Sequence, residues 1–381
     1  MNFELPEEYL NLQQKVRAFA EKELKPTALQ IDKEGKFPQE NLKKLARLGY
    51  LGVTVPEEFG GAGMDLMSFL IICEELSPAC PSTEIVMRAH NSLACYPILR
   101  HGTEEQKKKF LTPLALGEKL GAFALTEAMA GSDVAAMQSA AKKSGNKYIL
   151  NGTKTFITSA SIADTYIIFA KSDPDKKHRG ITAFIIDKDA GGMSFGKKIE
   201  VMGFCGSHTG EIFMDNVEVP QENVLGGECA GFRIAMDTVV HGRLGMAAAA
   251  LGMARESYEL ALDYAKRREA FGQPIGKFQG VQWKLADIYV NLEAARLLIY
   301  KAAWMSERVE RNTLASAVAK LFATEMAVNA AGEAMQIFGG YGYSKEYPIE
   351  LYYRALKLFE IAEGSSEIQR MIIAKEIGLP V

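Results

Sequence analysis

The sequence has few cysteines, and it has no excess of charge of one sign. Its five cysteines are odd in number and show no CxxC spacing: Cys73, Cys80, Cys95, Cys205 and Cys229. This pattern argues against a disulfide framework and against a zinc site, so we expect free thiols and no bound metal. The 44 basic and 47 acidic residues give a formal net charge of −3. Such a balance gives no reason to expect nucleic acid or an anionic membrane as a partner.

The sequence also lacks a recognisable targeting segment and a long apolar run. The N-terminal stretch MNFELPEEYLNLQQ carries acidic residues where a signal peptide carries positive charge. No apolar stretch is long enough to cross a bilayer. We therefore expect no membrane span and a cytoplasmic location. With 381 residues, 48% of them hydrophobic, the chain is long enough for two or three domains.

Hydrophobic periodicity changes twice along the chain. Up to about residue 120, apolar residues such as Leu12, Val16 and Phe19 recur at helical spacing. From 121 to about 230, β-rich runs prevail. Within KYILNGTKTFI, Asn151 and Gly152 predict a tight hairpin turn between two strands.

The last part of the chain, from 231 to 381, is again helical. In NTLASAVAKLFATEM the apolar residues of one predicted face are Leu314, Val318, Leu321 and Phe322. Because helices and strands are segregated, the sequence predicts an α+β fold with domains 1–120, 121–230 and 231–381. No GxGxxG follows a strand, which disfavours a Rossmann dinucleotide site.

Five motifs carry the candidate chemistry, and each has an ordinary structural explanation when taken alone. They are GAFALTEAMAGSDVAAMQSAA, TKTFITSAS, YAKRREAFGQPIGKFQGVQ, QIFGGYGYS and AEGSSEIQR. Small residues and glycines allow a backbone to lie close to a flat ring or a phosphate, but they also form plain turns and helix stops. A basic cluster can bind a pyrophosphate, or it can simply suit the C-terminal end of a helix.

Taken together and in this order, the motifs make the chain resemble an acyl-CoA dehydrogenase over essentially its whole length. VTVPEEFGGAGMD, HNSLACYPILRHGTEEQKKKFL and VMGFCGSHTGEIFMDNVEVPQENVLG add to the resemblance. It implies an N-terminal helical domain, a middle β-barrel-like domain and a C-terminal four-helix bundle, usually assembled as a homotetramer. It also implies FAD, in a short- or medium-chain-like branch with the catalytic glutamate near the C-terminus.

Matching the family motifs residue by residue gives two sets of expected FAD contacts. The set along the flavin ring is Phe123, Leu125, Thr126, Gly131, Ser132, Phe156, Ile157 and Thr158. The set that reaches the pyrophosphate and adenosine from a neighbouring subunit is Arg268, Phe271, Gln279, Gln336 and Gly340. Ser365 and Glu367 complete the expected cofactor site. The substrate contacts implied by the resemblance are Ser132, Arg243, Glu363 and Gly364.

The resemblance also implies that Glu363 is the catalytic base. It would remove the α proton of an acyl-CoA while hydride passes from the β carbon to the flavin. Such a weakly acidic proton needs a base within about 3 Å, and the developing oxyanion needs donors, here the Glu363 N–H and a flavin ribityl hydroxyl. Some branches carry the base at the position of Gly242, which leaves Glu363 as the candidate in this chain. Otherwise Glu363 is a surface carboxylate favoured by the dipole of a helix.

The surroundings of Glu363 give further expectations. Ser366 and Gln369 have the spacing of a capping box, which predicts a helix start that fixes the base. Burial beside apolar groups is expected to raise the pKa of Glu363. His90 and Asn91 are expected to support the acyl pocket structurally.

The acyl group and the electron acceptor are less constrained by the sequence. Val240, Gly242 and the small residues of 247–250 predict room for a cyclic or branched acyl group. Four positions depart from the family pattern: Ala128, Met129, Cys205 and Val240. The resemblance implies that an electron-transfer flavoprotein reoxidises the flavin. The alternatives are an acyl-CoA oxidase that uses oxygen and a non-catalytic flavin- or CoA-binding assembly protein on the same scaffold.

Overall fold

The structure is a computed structural model that describes residues 5–309 and 312–380. Its N-terminal part is helical, as the periodicity predicts. The α-helices are α1 Glu7–Phe19, α2 Lys25–Glu34, α3 Gln39–Arg47, α4 Leu66–Ala79, α5 Pro81–Ala89, α6 Tyr96–His101, α7 Glu104–Gln106 and α8 Thr112–Ala115, with π-helical turns at Ala20–Leu24, His90–Cys95 and Lys107–Leu111. Val16 is fully buried, and Leu12 and Phe19 pack against the core, so the predicted face of the first helix does contact the core.

The middle part is a mixed β-sheet. Its strands are β1 Gly121–Ala124, β2 Ala140–Ser144, β3 Lys147–Ile157, β4 Thr165–Lys171, β5 Ile181–Asp187, β6 Met193–Phe195, β7 Gly210–Pro220 and β8 Val224–Leu225. The strand order is β6-β7-β3-β2-β4-β5-β8, and β1 pairs in parallel with β4. The ends of β1 and β3 lead into the two segments that are expected to contact the flavin.

The predicted hairpin at Asn151 and Gly152 is wrong. β3 continues through both residues, and its register with β7 shifts between Leu150 and Gly152, which marks a β-bulge. The turn lies instead between β2 and β3, where Gly145 has a φ of 62°. A glycine is still required at 152, because its φ is 146° and a Cβ there would lie 2.3 Å from Ser139 Oγ.

The C-terminal part is a helical bundle. Its elements are α9 Gly231–Arg267, β9 Glu269–Ala270, β10 Gln273–Pro274, α10 Gln279–Ser306, α11 Thr313–Phe338, α12 Gly340–Tyr343, α13 Ile349–Phe359 and α14 Ser366–Glu376. Together the three parts confirm the predicted α+β organisation. Among the described residues, no helix is both long and apolar enough to cross a membrane.

The small residues of 247–250 do not leave room for an acyl group, contrary to the expectation from the sequence. All four alanines are at most 1% exposed. They lie on the part of α9 that packs against α4, where Ser77 Oγ donates a hydrogen bond to Ala249 O at 2.8 Å. At Gly252 the helices are so close that a Cβ would lie 2.0 Å from Glu74 O. The small side chains therefore permit close helix packing.

The helical bundle leaves apolar side chains on its outer surface. On α10, Trp283, Val290, Leu297 and Trp304 follow one another at seven-residue intervals and are 47–65% exposed. On α11, Leu314 is 37% exposed, although the sequence pattern placed it on an apolar face. Residues seven apart lie on the same side of a helix, so α10 presents one continuous apolar stripe. We call this set of four residues the α10 stripe.

Candidate active site

Glu363 lies on a strained bend between α13 and α14. Its φ is 54°, in the left-handed region that non-glycine residues seldom adopt, and Gly364 follows with a φ of 91°. The residue that caps α14 is Ser365, whose side chain accepts a hydrogen bond from Ile368 N at 3.5 Å. The predicted pairing of Ser366 with Gln369 is therefore wrong by one residue, because the helix begins after Ser365.

Three side chains hold the backbone carbonyl groups of this bend. Arg243 Nε donates to Glu363 O at 3.0 Å, and Lys320 Nζ donates to Gly364 O at 2.9 Å. Gln369 Nε2 donates to Gly364 O at 2.7 Å. These donors come from α9, α11 and α14, so three helices fix the direction in which the Glu363 side chain points. A Cβ at Gly364 would lie 2.8 Å from Gln369 Nε2, which gives that glycine a steric reason besides its φ.

The carboxylate of Glu363 is buried and has one oxygen free. Its side chain is 9% exposed, and Oε1 accepts a hydrogen bond from Arg88 Nη1 at 2.9 Å. Oε2 has no partner among residues 5–309 and 312–380. A Cβ at Gly242 would lie 2.3 Å from this free oxygen and 3.0 Å from Leu93 Cδ2. Glycine at 242 therefore leaves the space that the free oxygen occupies.

Burial and charge act on Glu363 in opposite directions. Burial raises the pKa of Glu363, and the positive charges of Arg88, Arg243 and Lys320 oppose that rise. Burial also lowers the pKa of Lys320 to about 8 and that of Arg243 to about 10. A carboxyl group with a raised pKa is a stronger base than a solvated one, and three nearby cations keep it ionised.

Arg88 and Glu84 belong to this site, although sequence reasoning missed both. Arg88 is 2% exposed on α5, and its Nε donates to Glu84 Oε1 at 2.8 Å. The signal was present in TEIVMRAH, where two charged residues four apart stand in an otherwise apolar stretch. Charged side chains on a buried helix face are uncommon unless they are paired, so this spacing indicates an internal ion pair.

Most of the residues expected along the flavin ring lie at the ends of β1 and β3, and Gly131 and Ser132 lie further along the loop that follows β1. Thr155 N donates to Thr126 O at 2.9 Å, which joins the two segments. Leu125 and Ile157 are buried, whereas Phe156 is 62% exposed at a φ of 56°. Phe123, Thr126 and Thr158 are half-buried, and Gly131 and Ser132 are exposed. An outward-facing aromatic ring beside exposed backbone suits the flat face of a flavin.

A buried ion pair stabilises the loop that is expected to lie along the flavin ring. Lys154 Nζ donates to Glu127 Oε1 at 2.7 Å, and Glu127 Oε1 also accepts from Ser139 N at 3.0 Å. Burial lowers the pKa of Lys154 to about 8, while Glu127 opposes that change. The loop at Ala128 and Met129, where the sequence departs from the family pattern, is thus held at its base by Glu127.

Two residues of the second expected FAD set, Arg268 and Gly340, line an open cavity on the helical bundle. This cavity of about 530 Å³ is bordered by Arg268, Gly340, Tyr264 and Tyr341. No atom lies within 4 Å of a Cβ built on Gly339 or Gly340, so the backbone there is accessible. Phe271, Gln279 and Gln336 are all exposed. These donors, with an exposed ring and open backbone, fit a pyrophosphate and an adenosine.

Ser365 and Glu367 lie on the C-terminal side of the bend. Ser365 caps α14, and Glu367 is exposed in its first turn. Their contacts with FAD stay a prediction, as do those of the other residues in the two sets.

Another cavity, of about 470 Å³, lies on the side of α9 that carries Val240 and His241. Tyr96, Arg100, Asp237 and Arg308 are among its other lining residues. The His241 ring stacks on Tyr96 with a centroid distance of 4.0 Å, and burial lowers the pKa of His241 to about 4. Val240 therefore borders an open space, and two arginines lie at it.

Comparison with known families identifies all three parts of the chain. Models of the acyl-CoA dehydrogenase N-terminal, middle and C-terminal domains match residues 6–118, 122–217 and 230–378. Among curated relatives, the short-chain specific acyl-CoA dehydrogenase of Clostridium acetobutylicum is 46% identical, over 99% of this chain and 100% of the relative.

Solved structures of similar proteins also match almost the whole chain. The structure of butyryl-CoA dehydrogenase from Megasphaera elsdenii is 42% identical with a TM-score of 0.96, over 99% of this chain and 100% of that one. A chain in the structure of the electron transferring flavoprotein of Acidaminococcus fermentans is 43% identical with a TM-score of 0.97, over 99% of this chain and 100% of that chain.

Proposed function

The chain belongs to the acyl-CoA dehydrogenase family and is a flavoprotein oxidoreductase, and from this premise we propose that it converts a short acyl-CoA into the 2-enoyl-CoA with Glu363 as the base. The observation that carries the role of Glu363 is its buried carboxylate, which is held on a bend by three helices and whose Oε2 has no partner in the part of the chain that the structure describes. A surface carboxylate at a helix end would have none of these features.

The protein groups around Glu363 divide the work of proton removal. Oε2 accepts the α proton, because no described residue donates a hydrogen bond to it, while Arg88 holds Oε1 and orients the carboxylate. The Glu363 N–H has no hydrogen-bond partner within the described part of the chain, so it is available to the thioester oxygen. Donation to that oxygen stabilises the negative charge that develops as the proton leaves.

The cofactor in this proposal is FAD, held by the two sets of residues described above. When bound, FAD supplies the acceptor for the hydride that leaves the β carbon. Phe156 and the exposed backbone at Gly131 suit the ring, and Arg268 suits the pyrophosphate because a guanidinium donates two parallel hydrogen bonds to phosphate oxygens. We assign an electron-transfer flavoprotein as the electron acceptor, supported by the likeness to the Acidaminococcus fermentans structure.

The proposed assembly is a homotetramer built on the helical bundle. The α10 stripe is an apolar surface on a helix of 28 residues. In a symmetric assembly, a second copy of the chain would cover this surface. In this assembly Arg268, Phe271 and Gln279 contact the FAD of a neighbouring subunit. Cofactor binding and assembly then stabilise each other by mass action.

A short acyl group suits the surroundings of the base better than a long or bulky one. The Arg88 guanidinium and Leu93 lie beside the Glu363 carboxylate, and the alanines of 247–250 are buried in helix packing. Methylene groups placed against a buried guanidinium gain little from burial. The two arginines at the 470 Å³ cavity, Arg100 and Arg308, suit the phosphates of CoA.

Anaerobic mixing with a panel of acyl-CoA thioesters tests the proposed reaction. Straight, branched, cyclic and aromatic thioesters are added to the flavin-loaded protein, and the absorbance of oxidised flavin is recorded. We expect butyryl-CoA or a similarly short thioester to bleach the flavin fastest. Bleaching only by cyclic or branched thioesters would restore the alternative substrate class. A flavin-loaded protein that no thioester bleaches would overturn the proposed reaction. Rapid reoxidation of the bleached flavin when oxygen is then admitted would instead indicate an oxidase.

Replacing the base gives the most direct mutational test. Glu363→Gln preserves the shape of the side chain but removes its proton affinity, so we expect flavin binding and ligand binding to persist. The rate of flavin bleaching should fall by about 10³-fold, since general-base catalysis is lost while the Glu363 N–H stays in place. Bleaching at the normal rate would show that another group removes the proton.

A further inference from the structure

One guanidinium serves two buried carboxylates beside the base. Arg88 Nε donates to Glu84 Oε1 at 2.8 Å, and Arg88 Nη1 donates to Glu363 Oε1 at 2.9 Å. In both carboxylates the second oxygen, Oε2, is buried and has no partner among the described residues. We refer to Glu84, Arg88 and Glu363 as the triad. With both carboxylates ionised, the net charge of the triad is −1.

Arg88 cannot move to favour one carboxylate over the other without disturbing its packing. Its guanidinium lies 5.2 Å from the centroid of the Phe359 ring. A Cβ built on Gly245 would lie 3.0 Å from Arg88 Cδ, so α9 packs directly on the arginine stem. The position of Arg88 between the two carboxylates is therefore fixed by α9 and α13. Its charge is divided between them whenever both are ionised.

The other titratable and charged groups near the triad come from three helices. Cys73 of α4 lies beside Glu84, and Arg243 of α9 and Lys320 of α11 face Glu363. Arg243 Nε and Lys320 Nζ bind the carbonyl oxygens of the bend, so Arg88 is the cation that contacts the carboxylate itself. Burial, with a smaller contribution from the charge of Glu363, raises the pKa of Glu84 to about 7 against the opposing effect of Arg88. Above neutral pH Glu84 is therefore ionised and competes for Arg88.

We propose that Glu84 is a positioning residue that sets the base strength of Glu363 by drawing part of the Arg88 charge away from it. Arg88 alone would stabilise the Glu363 carboxylate and weaken it as a base. A second carboxylate on the same guanidinium offsets that effect, and its negative charge favours protonation of Glu363. This inference rests on the proposed function, in which Glu363 removes the α proton. It adds that the rate depends on a residue that touches neither substrate nor cofactor.

Glu84→Gln tests the inference through the pH dependence of flavin bleaching under anaerobic single-turnover conditions. The substitution keeps the shape and leaves Arg88 to Glu363 alone, so the pKa of Glu363 falls. We expect the acid limb of the bleaching rate to move to lower pH by about one unit. On the alkaline plateau the rate should fall about threefold, because a weaker base removes the proton more slowly. A purely structural role for Glu84 would produce neither of these coupled changes.

Glu75→Gln provides a matched control on α4. Glu75 is 2% exposed and pairs with Arg17 and Arg255, away from the base. This variant should lose thermal stability yet keep the acid limb where the unsubstituted protein has it. If Glu84→Gln does not fold, Glu84→Met removes the same charge without burying an amide and carries the same expected shift.

The outcomes separate the inference from the proposed function. If the unsubstituted protein bleaches and the folded Glu84 variant keeps its acid limb at the same pH, the role of Glu84 is overturned and the proposed reaction is not. A limb that moves to higher pH also overturns it, since the sign is then opposite. A flavin-loaded, unsubstituted protein that no thioester bleaches overturns the proposed function, and the role of Glu84 falls with it.

Discussion

At the scale of single residues, Gly242 shows how little space surrounds the reactive oxygen. A Cβ there would lie 2.3 Å from Glu363 Oε2, so Gly242→Ala must displace the carboxylate or leave it in contact with a methyl group. Displacing the buried carboxylate strains its pair with Arg88 but leaves the surrounding helix packing in place, so we expect the protein to fold with a modest loss of stability. The bleaching rate should fall by about 10²-fold, the cost of a misplacement of about 1 Å.

Gly332→Ala on α11 is the matched control for this glycine. A Cβ at Gly332 would meet Tyr353 at 3.6 Å, an ordinary van der Waals contact. Its bleaching rate should equal that of the unsubstituted protein, and helix propensity should make it slightly more stable. A Gly242→Ala variant that bleaches as fast as Gly332→Ala would contradict the position assigned to the free oxygen of Glu363.

Sequence reasoning identified Glu363 but missed its contacts. AEGSSEIQR is a contiguous motif, so Glu363 and Gly364 could be recognised without knowing the fold. Arg88 lies 275 residues away from Glu363, and only the packing of α5 against the bend brings the two together. Lys320 was missed for the same reason. The helical pattern of its segment gives no indication that it is fully buried.

At the scale of elements, His90 joins a π-helical turn to the start of the sheet. Gly121 N donates to His90 Nδ1 at 2.9 Å, so the proton is on Nε2, which donates to Leu114 O at 3.1 Å. One neutral imidazole thus connects α8, β1 and the turn at His90–Cys95. These contacts are structural and require that the ring stay uncharged, while support of the acyl pocket by His90 stays a prediction.

The neutral state of His90 predicts a pH dependence of stability. Burial lowers the pKa of His90 from 6.5 to about 4, so the folded protein takes up this proton at a lower pH than the unfolded chain. The stabilisation is fully present above about pH 6.5 and is lost as the pH falls towards 4, by about 1.4 kcal/mol per unit. His90→Gln keeps a donor and an acceptor but cannot titrate.

Thermal unfolding midpoints at pH 4 to 7 check this prediction. His90→Gln should be less stable at pH 7, and its deficit should shrink as the pH falls from 6.5 to 4. His241, whose pKa burial lowers to about 4 as well, is present in both proteins and cancels in the comparison. A deficit that stays constant over this range would contradict a buried neutral His90.

The wrongly predicted hairpin at Asn151 and Gly152 shows that a local turn signal does not decide where a turn forms. Gly145 and Asn146 form the turn, yet Asn151 and Gly152, six residues further on, carry an equally strong turn signal. The choice is made by pairing with β7, which runs antiparallel to β3 along most of its length. That partner lies more than fifty residues away in the sequence. A local reading could therefore find a turn signal but could not choose between two.

At the scale of the whole molecule, the order of helices, strands and helices could be predicted because periodicity is a property of each segment. The side of each helix that packs against its neighbours could not be predicted from periodicity. Leu314 and Val318 were assigned to one apolar face of α11, and the structure places the fully buried face on Ala317, Lys320 and Thr324 instead. In the proposed assembly, an apolar pattern can belong to a contact between subunits as well as to the core.

Disrupting the α10 stripe tests the proposed assembly. Val290→Glu with Leu297→Glu places two charges on a surface that a second copy would cover, so we expect smaller particles in analytical ultracentrifugation. Flavin retention on dilution should fall by about tenfold or more, because the neighbouring subunit contributes FAD contacts in the proposal. Leu48→Glu, at an isolated exposed leucine of the N-terminal part, should change neither. An assembly that survives the double substitution would exclude the stripe as its interface.

The length of α9 limits how sequences of this kind can change by insertion or deletion. One uninterrupted helix of 37 residues carries Gly242 and Arg243 at the base and ends at Arg267, next to Arg268 at the open cavity. Arg243 and Arg268 are 25 positions apart, which is about 38 Å of helix. One inserted residue between them would rotate the far end by about 100° and shift it by about 1.5 Å. Homologues with both sites intact should therefore differ in length in their surface loops and keep this interval constant.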